Sequence, residues 1–211
     1  MSRGHPLETY RRKRHFDRTT EPRGDAGPSG TAAPCFVVQI HDASTPHFDF
    51  RLEVDGVLKS WSVPKGPSTN PEDKRLAMPT EDHPLEYRDF EGVIAEGEYG
   101  AGTVIVWDEG TYRPLTHDKR NRPVPFADAL AGGHVSFHLD GGKLRGGFAL
   151  TRFRGGDGGE RESWLLVKEG RAGSARQRGT PDPARARSAR TGRTLRQVAA
   201  CERPAGGGAR R

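Results

Sequence analysis

Long apolar runs are missing from this sequence. No stretch approaches the roughly 18 residues that a membrane-spanning helix requires, and the first residues carry no apolar core of a secretory leader. Cysteine is scarce: Cys35 and Cys201 are the two present. They are too few for a disulfide framework and too isolated for a zinc knuckle, which fits a reducing cytoplasm. Hydrophobic residues make up 32% of the 211, so the core must be drawn from short segments. Sustained helical periodicity is absent as well. What the chain has in quantity is punctuation, with 28 glycines and 16 prolines, which predicts many tight turns and stretches with no packed structure.

Charge divides the chain. The net charge is +6. Residues 171–211 hold eleven arginines against two acids, and residues 1–30 hold seven basic against four acidic residues. The middle is therefore acidic, net −6 over 31–170. An acidic body between basic ends suits contact with a polyanion, nucleic acid above all. The expected organisation is an N-terminal basic arm and linker over 1–34, a folded body over 35–170, and an Arg-rich tail without structure over 171–211.

Strand patterns dominate the body. Runs at 35–41, 48–54, 57–63, 75–82, 134–141, 146–153 and 163–169 alternate or are rich in β-branched and aromatic residues, and 90–112 reads as two strands around a glycine-rich connection. Asp55-Gly56 between two runs predicts a type I′ hairpin, and Gly141-Gly142 a second turn. Short helices are expected at 6–14, behind Pro6, and within 114–130. The sum predicts a mainly β fold of about eight short antiparallel strands, a sandwich or a small compact barrel, with one or two short helices. The run Gly97-Glu98-Tyr99-Gly100-Ala101-Gly102 leads into a strand, not a helix, so it reads as a turn and not as a phosphate loop.

Within 41–51, HDASTPHFDFR, the residues His47, Asp49 and Arg51 fall on one strand face, with Phe48, Phe50 and Leu52 on the other. Two imidazoles, His41 and His47, with the Asp49 carboxylate suit a divalent transition ion with open positions. Arg51 on the same face can hold phosphate oxygens bidentately. His83, in a loop before Pro84, can donate to a phosphate or protonate a leaving oxygen, and Tyr87 follows four residues on. Lys65 and Arg75 are further candidates for phosphate contact. A second chemistry stays open on the same residues: His47 and Asp49 with a distal histidine, His83 or His134, would make the 2-His-1-carboxylate set of an Fe(II) oxygenase. A third reading is a non-catalytic DNA-end-binding module.

The stretches YRRKRHFDRTTEP (10–22), FVVQIHDASTPHFDFRLEVDGVLKSWSVPKGPS (36–68), EDHPLEYRDFEGVIAEGEYGAGTVIVWDEGTY (81–112) and SWLLVKE (163–169) together resemble the 3′-phosphoesterase domain of bacterial DNA ligase D. The resemblance covers about residues 6–169. It implies a β-barrel with a manganese site, other ions such as Co²⁺ or Zn²⁺ being chemically admissible. It implies removal of a 3′-terminal ribonucleoside and then of the 3′-phosphate, leaving a 3′-OH for non-homologous end joining. By the same resemblance the metal ligands are His41, His47 and Asp49. The phosphate group is served by Arg51, His83 and Tyr87, and supporting roles fall to Arg14, Glu21, Lys65, Arg75 and Glu81. The implied partners are DNA 3′ ends, including RNA-tipped primer–templates, a separate DNA ligase and a Ku-type end binder. The implied setting is cytoplasmic and nucleoid-associated. Two positions depart from the family pattern: His15 stands where Asp is usual, and Ile40 where a basic residue is common. The sequence has no Lys-x-Asp-Gly nucleotidyl-transfer motif, so a stand-alone version of the domain is expected.

Overall fold

A computed structural model describes residues 6–25, 33–154, 161–170 and 182–202. Nine antiparallel strands form one sheet: β1 (Cys35–Asp42), β2 (His47–Val54), β3 (Val57–Val63), β4 (Lys74–Pro79), β5 (Gly92–Ile94), β6 (Gly102–Pro114), β7 (His134–Gly141), β8 (Arg145–Arg154) and β9 (Ser163–Lys168). Eight of them close a barrel in the order β1-β2-β3-β4-β9-β8-β7-β6, with β6 returning to pair with β1, and the three-residue β5 lies along β6. Closure removes the open sheet edges that would otherwise invite pairing with another chain. Among the described residues three short α-helices accompany the barrel, α1 (Glu8–Arg12), α2 (Phe126–Ala131) and α3 (Leu195–Glu202), with a 3₁₀ turn at Leu85–Asp89. No helix among the described residues is long and apolar enough to cross a membrane.

Local sequence sets the hairpins. Asp55 and Gly56 have φ of 51° and 81°, the left-handed pair that a type I′ turn requires and that Asp-Gly tolerates best. The β1–β2 register then places His41 opposite His47 and Gln39 opposite Asp49. The chain therefore brings two histidines six residues apart into direct cross-strand contact.

The barrel has an apolar layer inside and a second one outside. Phe36, Val38, Ile40, Phe48, Phe50 and Leu52 fill the interior with Phe137, Phe148 and Leu166. On the outer face, Val37 of β1 and Val104 and Val106 of β6 meet Tyr10, Leu85, Tyr87 and Phe90. Strand β1 is consequently buried on both faces. The polar face of β2 is likewise covered instead of solvated, by the N-terminal segment and the 3₁₀ turn.

The expectation of an unstructured tail over 171–211 is corrected where the chain is described; 171–181 and 203–211 lie outside the described residues. Residues 182–202 fold onto the barrel. Ala186, Leu195 and Val198 are buried in the interior cluster. The apolar positions number too few to make a visible period, yet Leu195 and Val198 lie on one side of the two-turn α3. The segment also repairs an edge. Strand β6 pairs with β5 through Gly102–Val104 and with β7 through Gly110–Pro114. In the gap between them, the Val106 carbonyl accepts from the Ala189 N–H at 2.8 Å, and the Val106 N–H donates to the Glu91 carboxylate at 2.8 Å. Arg190 alongside pairs with Asp89 and Glu109.

Candidate active site

Three ligand-type atoms, one each from His41, His47 and Asp49, lie within 4.8 Å of one another. Backbone carbonyls fix both rings. His41 Nε2–H donates to the Gly100 carbonyl at 2.7 Å, and His47 Nδ1–H donates to the Thr45 carbonyl at 2.9 Å. A carbonyl oxygen can only accept, so the protons are assigned to those nitrogens. His41 Nδ1 and His47 Nε2 are left as lone-pair donors, 3.9 Å and 3.6 Å from the Asp49 carboxylate. Burial pulls the His41 pKa below the ordinary imidazole value, against the opposing pull of Asp49, which favours the neutral form that a ligand must have. Two oriented neutral imidazoles and a carboxylate fit a divalent ion such as Mn²⁺, Co²⁺ or Zn²⁺. Gly100 has φ of +76°, a left-handed conformation suited to glycine.

A guanidinium is joined to this group. Arg51 Nη2 donates to Asp49 Oδ2 at 2.9 Å, Nε to Gln39 Oε1 at 2.8 Å, and Nη1 to Ser60 Oγ at 2.8 Å. Three of its five N–H groups are taken, and two remain for a ligand. Tyr87 stacks against it, with the guanidinium carbon 4.9 Å from the ring centre. The N-terminal segment supplies a second buried guanidinium. Arg14 donates to Glu21 at 2.8 Å, to Glu81 at 3.1 Å, and through Nη2 to His83 Nε2 at 3.3 Å. Its guanidinium carbon lies 3.8 Å from the centre of the Tyr10 ring. Lys13 adds a 3.0 Å ion pair to Glu81.

His83 is held in one tautomer. Its Nδ1–H donates to the Glu81 carbonyl at 2.8 Å, and Arg14, which can only donate, makes Nε2 the acceptor. Burial first, then the charges of Arg51 and Arg14, hold its pKa well below the ordinary imidazole value. In this arrangement His83 carries no proton for the cavity.

A cavity of about 270 Å³ unites these groups, lined by His41, His47, Asp49 and Arg51 together with Arg14, Glu81, His83 and Tyr87. Glu21 lies behind Arg14, fully enclosed. Glu21 therefore does not line the cavity, and neither do two other proposed supporting residues: Lys65 is exposed in the turn after β3, and Arg75 on β4 pairs with Asp73 at 2.8 Å. His15 also lies outside the lining, where Nδ1 approaches Glu98 at 3.0 Å. The alternative triad does not assemble. His83 faces Arg14, and the exposed His134 contacts Thr151 at 2.8 Å. Sequence reasoning missed Gln39, whose amide donates to the Tyr87 and Phe90 carbonyls at 2.9 and 3.1 Å while holding Arg51. The signal was present: a lone glutamine in an apolar strand, two residues before His41. Tyr10 and Ser60 were missed with it.

A family model described as the DNA Ligase D 3′-phosphoesterase domain matches residues 39–152, a span that contains the histidine–aspartate group, Arg51, His83 and Tyr87. The chain belongs to this family. The chain is 49% identical over 171 residues to the multifunctional non-homologous end joining protein LigD of Pseudomonas aeruginosa, covering 80% of this chain and 19% of that protein. It is 48% identical over 149 residues to the corresponding DNA repair protein of Mycobacterium tuberculosis, covering 71% and 18%. With LigD of Mycolicibacterium smegmatis the identity is 40% over 160 residues, covering 75% and 20%. The chain thus spans about a fifth of the length of these relatives.

Proposed function

We propose that this chain is a divalent-metal-dependent phosphoesterase, using Mn²⁺ by preference, that processes DNA 3′ ends. It would act as a 3′-ribonucleoside phosphodiesterase and then as a 3′-phosphomonoesterase, producing the 3′-OH that end joining requires. The observation that carries this reading is the sharing of Asp49 between the imidazole group and Arg51. A phosphate held by Arg51 would lie directly beside the ion site.

His41, His47 and Asp49 would hold the ion, which when bound would supply Lewis-acid polarisation of a phosphate oxygen. The protein's own part is electrostatic. Arg51 presents its two uncommitted N–H groups to phosphate oxygens, where they oppose charge that grows in the transition state. Gln39, Ser60 and the Tyr87 ring fix the guanidinium before substrate arrives. Arg14 approaches the same phosphate from the N-terminal segment. A phosphate dianion between the two guanidiniums would neutralise the charges that depress the His83 pKa. In that complex, with Arg14 turned to the phosphate, Nε2 would take a proton from solvent and pass it to the departing oxygen as water replaces that oxygen at phosphorus. Tyr87 would orient the phosphate through its packing on Arg51.

The basic segments would add affinity for the DNA backbone. A separate ligase and a Ku-type end binder would act on or deliver the same ends. The deciding experiment uses a labelled primer–template ending in one ribonucleotide, with and without Mn²⁺. The expected sequence of products is a shortened strand ending in 3′-phosphate, then in 3′-OH. An unchanged substrate across Mn²⁺, Co²⁺ and Zn²⁺ would overturn the proposal and leave a binding module.

A further inference from the structure

The phosphate groups of the site account for the floor of the cavity but not for its rim. Three large hydrophobic side chains are exposed among the described residues: Leu76, Tyr99 and Phe153. Of these, Tyr99 alone borders the active-site cavity, and it also borders a neighbouring groove of about 440 Å³ that runs past Lys13, Thr80, Glu81 and Asp82. Tyr99 is 48% exposed, so the residue is accessible to a ligand. It is also fixed. The Lys13 ammonium donates to the Tyr99 hydroxyl at 3.0 Å and lies 4.4 Å from the ring centre. The turn that carries the ring is closed by Glu98 N–H to Ala95 C=O and Ala101 N–H to Glu98 C=O, each 3.1 Å. His15 contacts Glu98 at 3.0 Å from the N-terminal segment. The next residue, Gly100, supplies the carbonyl that orients His41.

An exposed aromatic ring with a restrained position, beside cations and one residue from the support of a metal ligand, is poorly explained as core. It is well suited to a flat π-face. Building on the phosphoesterase reading above, we infer that Tyr99 is the platform on which the base of the nucleotide carrying the 3′-phosphate stacks, which makes it a substrate-positioning residue for strand ends. A phosphate engaged by Arg51 and Arg14 has its sugar directed to the mouth, where Tyr99 meets the base. Because every base has a π-face, such a platform accepts all four bases and rejects an end that lacks one.

Two oligonucleotides test this: one ending in an ordinary nucleotide 3′-phosphate, the other in an abasic tetrahydrofuran 3′-phosphate. With Mn²⁺, the whole 211-residue chain should favour the base-bearing end by roughly 5- to 150-fold in kcat/KM, the range expected of one stacked base, and mainly through KM. Tyr99→Ala should bring the ratio between the two substrates close to one, whereas Tyr99→Phe and Tyr99→Trp should keep it. An equal loss on both substrates through kcat would show that the ring only supports the Gly100 turn, and would overturn the inference. Binding of the same oligonucleotides, followed by fluorescence anisotropy in wild type and Tyr99→Ala, decides the matter independently of turnover. If the wild type hydrolyses neither end but still binds the base-bearing one more tightly through Tyr99, the phosphoesterase reading fails and the platform stands. Equal binding of both ends by the wild type would remove the platform.

Discussion

Gln39 Oε1 accepts from Arg51 Nε at 2.8 Å across the β1–β2 ladder, both side chains buried. The other end of the same amide donates to the Tyr87 and Phe90 carbonyls, so one side chain connects the Arg51 guanidinium to the segment that packs on it. Gln39→Ala leaves one buried donor and two carbonyls without this partner. We expect a loss of about 1–3 kcal/mol of stability, read as a drop of roughly 2–4 °C in Tm for each kcal/mol. Misplacement of Arg51 should lower kcat by up to roughly 100-fold. A variant that melts earlier but turns over at the wild-type rate would show that Arg51 needs no such support.

Of the three proposed ligands, His47 is the one that can be removed with least damage to the fold, since its side chain is 22% exposed. His47→Ala should keep the wild-type Tm in chelator and lose turnover with every divalent ion. Adding Mn²⁺ at 100 times its Kd should stabilise the wild type by about 2.7 kcal/mol and the variant by much less. Differential scanning fluorimetry with and without Mn²⁺ reads this. Retention of the full metal-induced shift would remove His47 from the ligand set.

Acid should unfold the metal-free protein earlier than its carboxylates alone predict. Burial and two arginines hold the folded His83 pKa well below the ordinary value of about 6.5, while the unfolded chain titrates at that value. Between the two values the unfolded state binds a proton that the folded state refuses. Stability therefore falls as pH drops below about 6.5, by as much as about 1.4 kcal/mol per pH unit for one such group. His41 acts in the same direction. Glu81 has the opposite burial effect outweighed by Lys13 and Arg14, so its folded pKa is below the usual carboxylate range, and its stabilisation is lost only as pH falls through that lowered value. Urea titrations in chelator at pH 7.5 and 5.5 should show the loss, and His83→Gln should reduce the slope. An identical slope in that variant would place the effect elsewhere.

Truncations should separate folding from DNA binding at the C-terminal side. Ending the chain at residue 202 removes three arginines and should leave Tm unchanged while flattening the salt dependence of DNA binding. On duplex DNA the slope should change by about 0.9 for each phosphate that those arginines had neutralised. Ending at residue 181 also removes Ala186, Leu195 and Val198 from the core. Burial of the two larger side chains is worth about 1.5–3 kcal/mol each, so Tm should fall by several degrees. Equal Tm values for both truncations would mean that 182–202 adds nothing to stability.

Much of the site was legible because strand alternation is a strong signal. His47, Asp49 and Arg51 on one face and Phe48, Phe50 and Leu52 on the other follow from a period of two, and Asp55-Gly56 fixed the hairpin behind them. What the alternation did not reveal is that the polar face is covered. The cover comes from Tyr10, Leu85, Tyr87 and Phe90, residues remote in sequence and outside any strand, so no local period announces it. That burial leaves Gln39 bonded to Arg51 and to two carbonyls away from water, and it pulls the His83 pKa well below the ordinary imidazole value. Leu195 and Val198 escaped notice for a related reason: two apolar positions among arginines carry no pattern, and their value appears only against the barrel end.

The Val106 carbonyl obtains its hydrogen bond from Ala189, a residue that emerges from the ribosome after every strand of the barrel. The acids on either side of that junction, Asp89 and Glu91, receive Arg190 and Thr191 from the same stretch. A nascent chain can thus pair all its strands and still lack the latch beside the turn that bears Tyr87. The turn that carries Tyr87 is thus braced from outside by a stretch of chain that follows every strand in sequence.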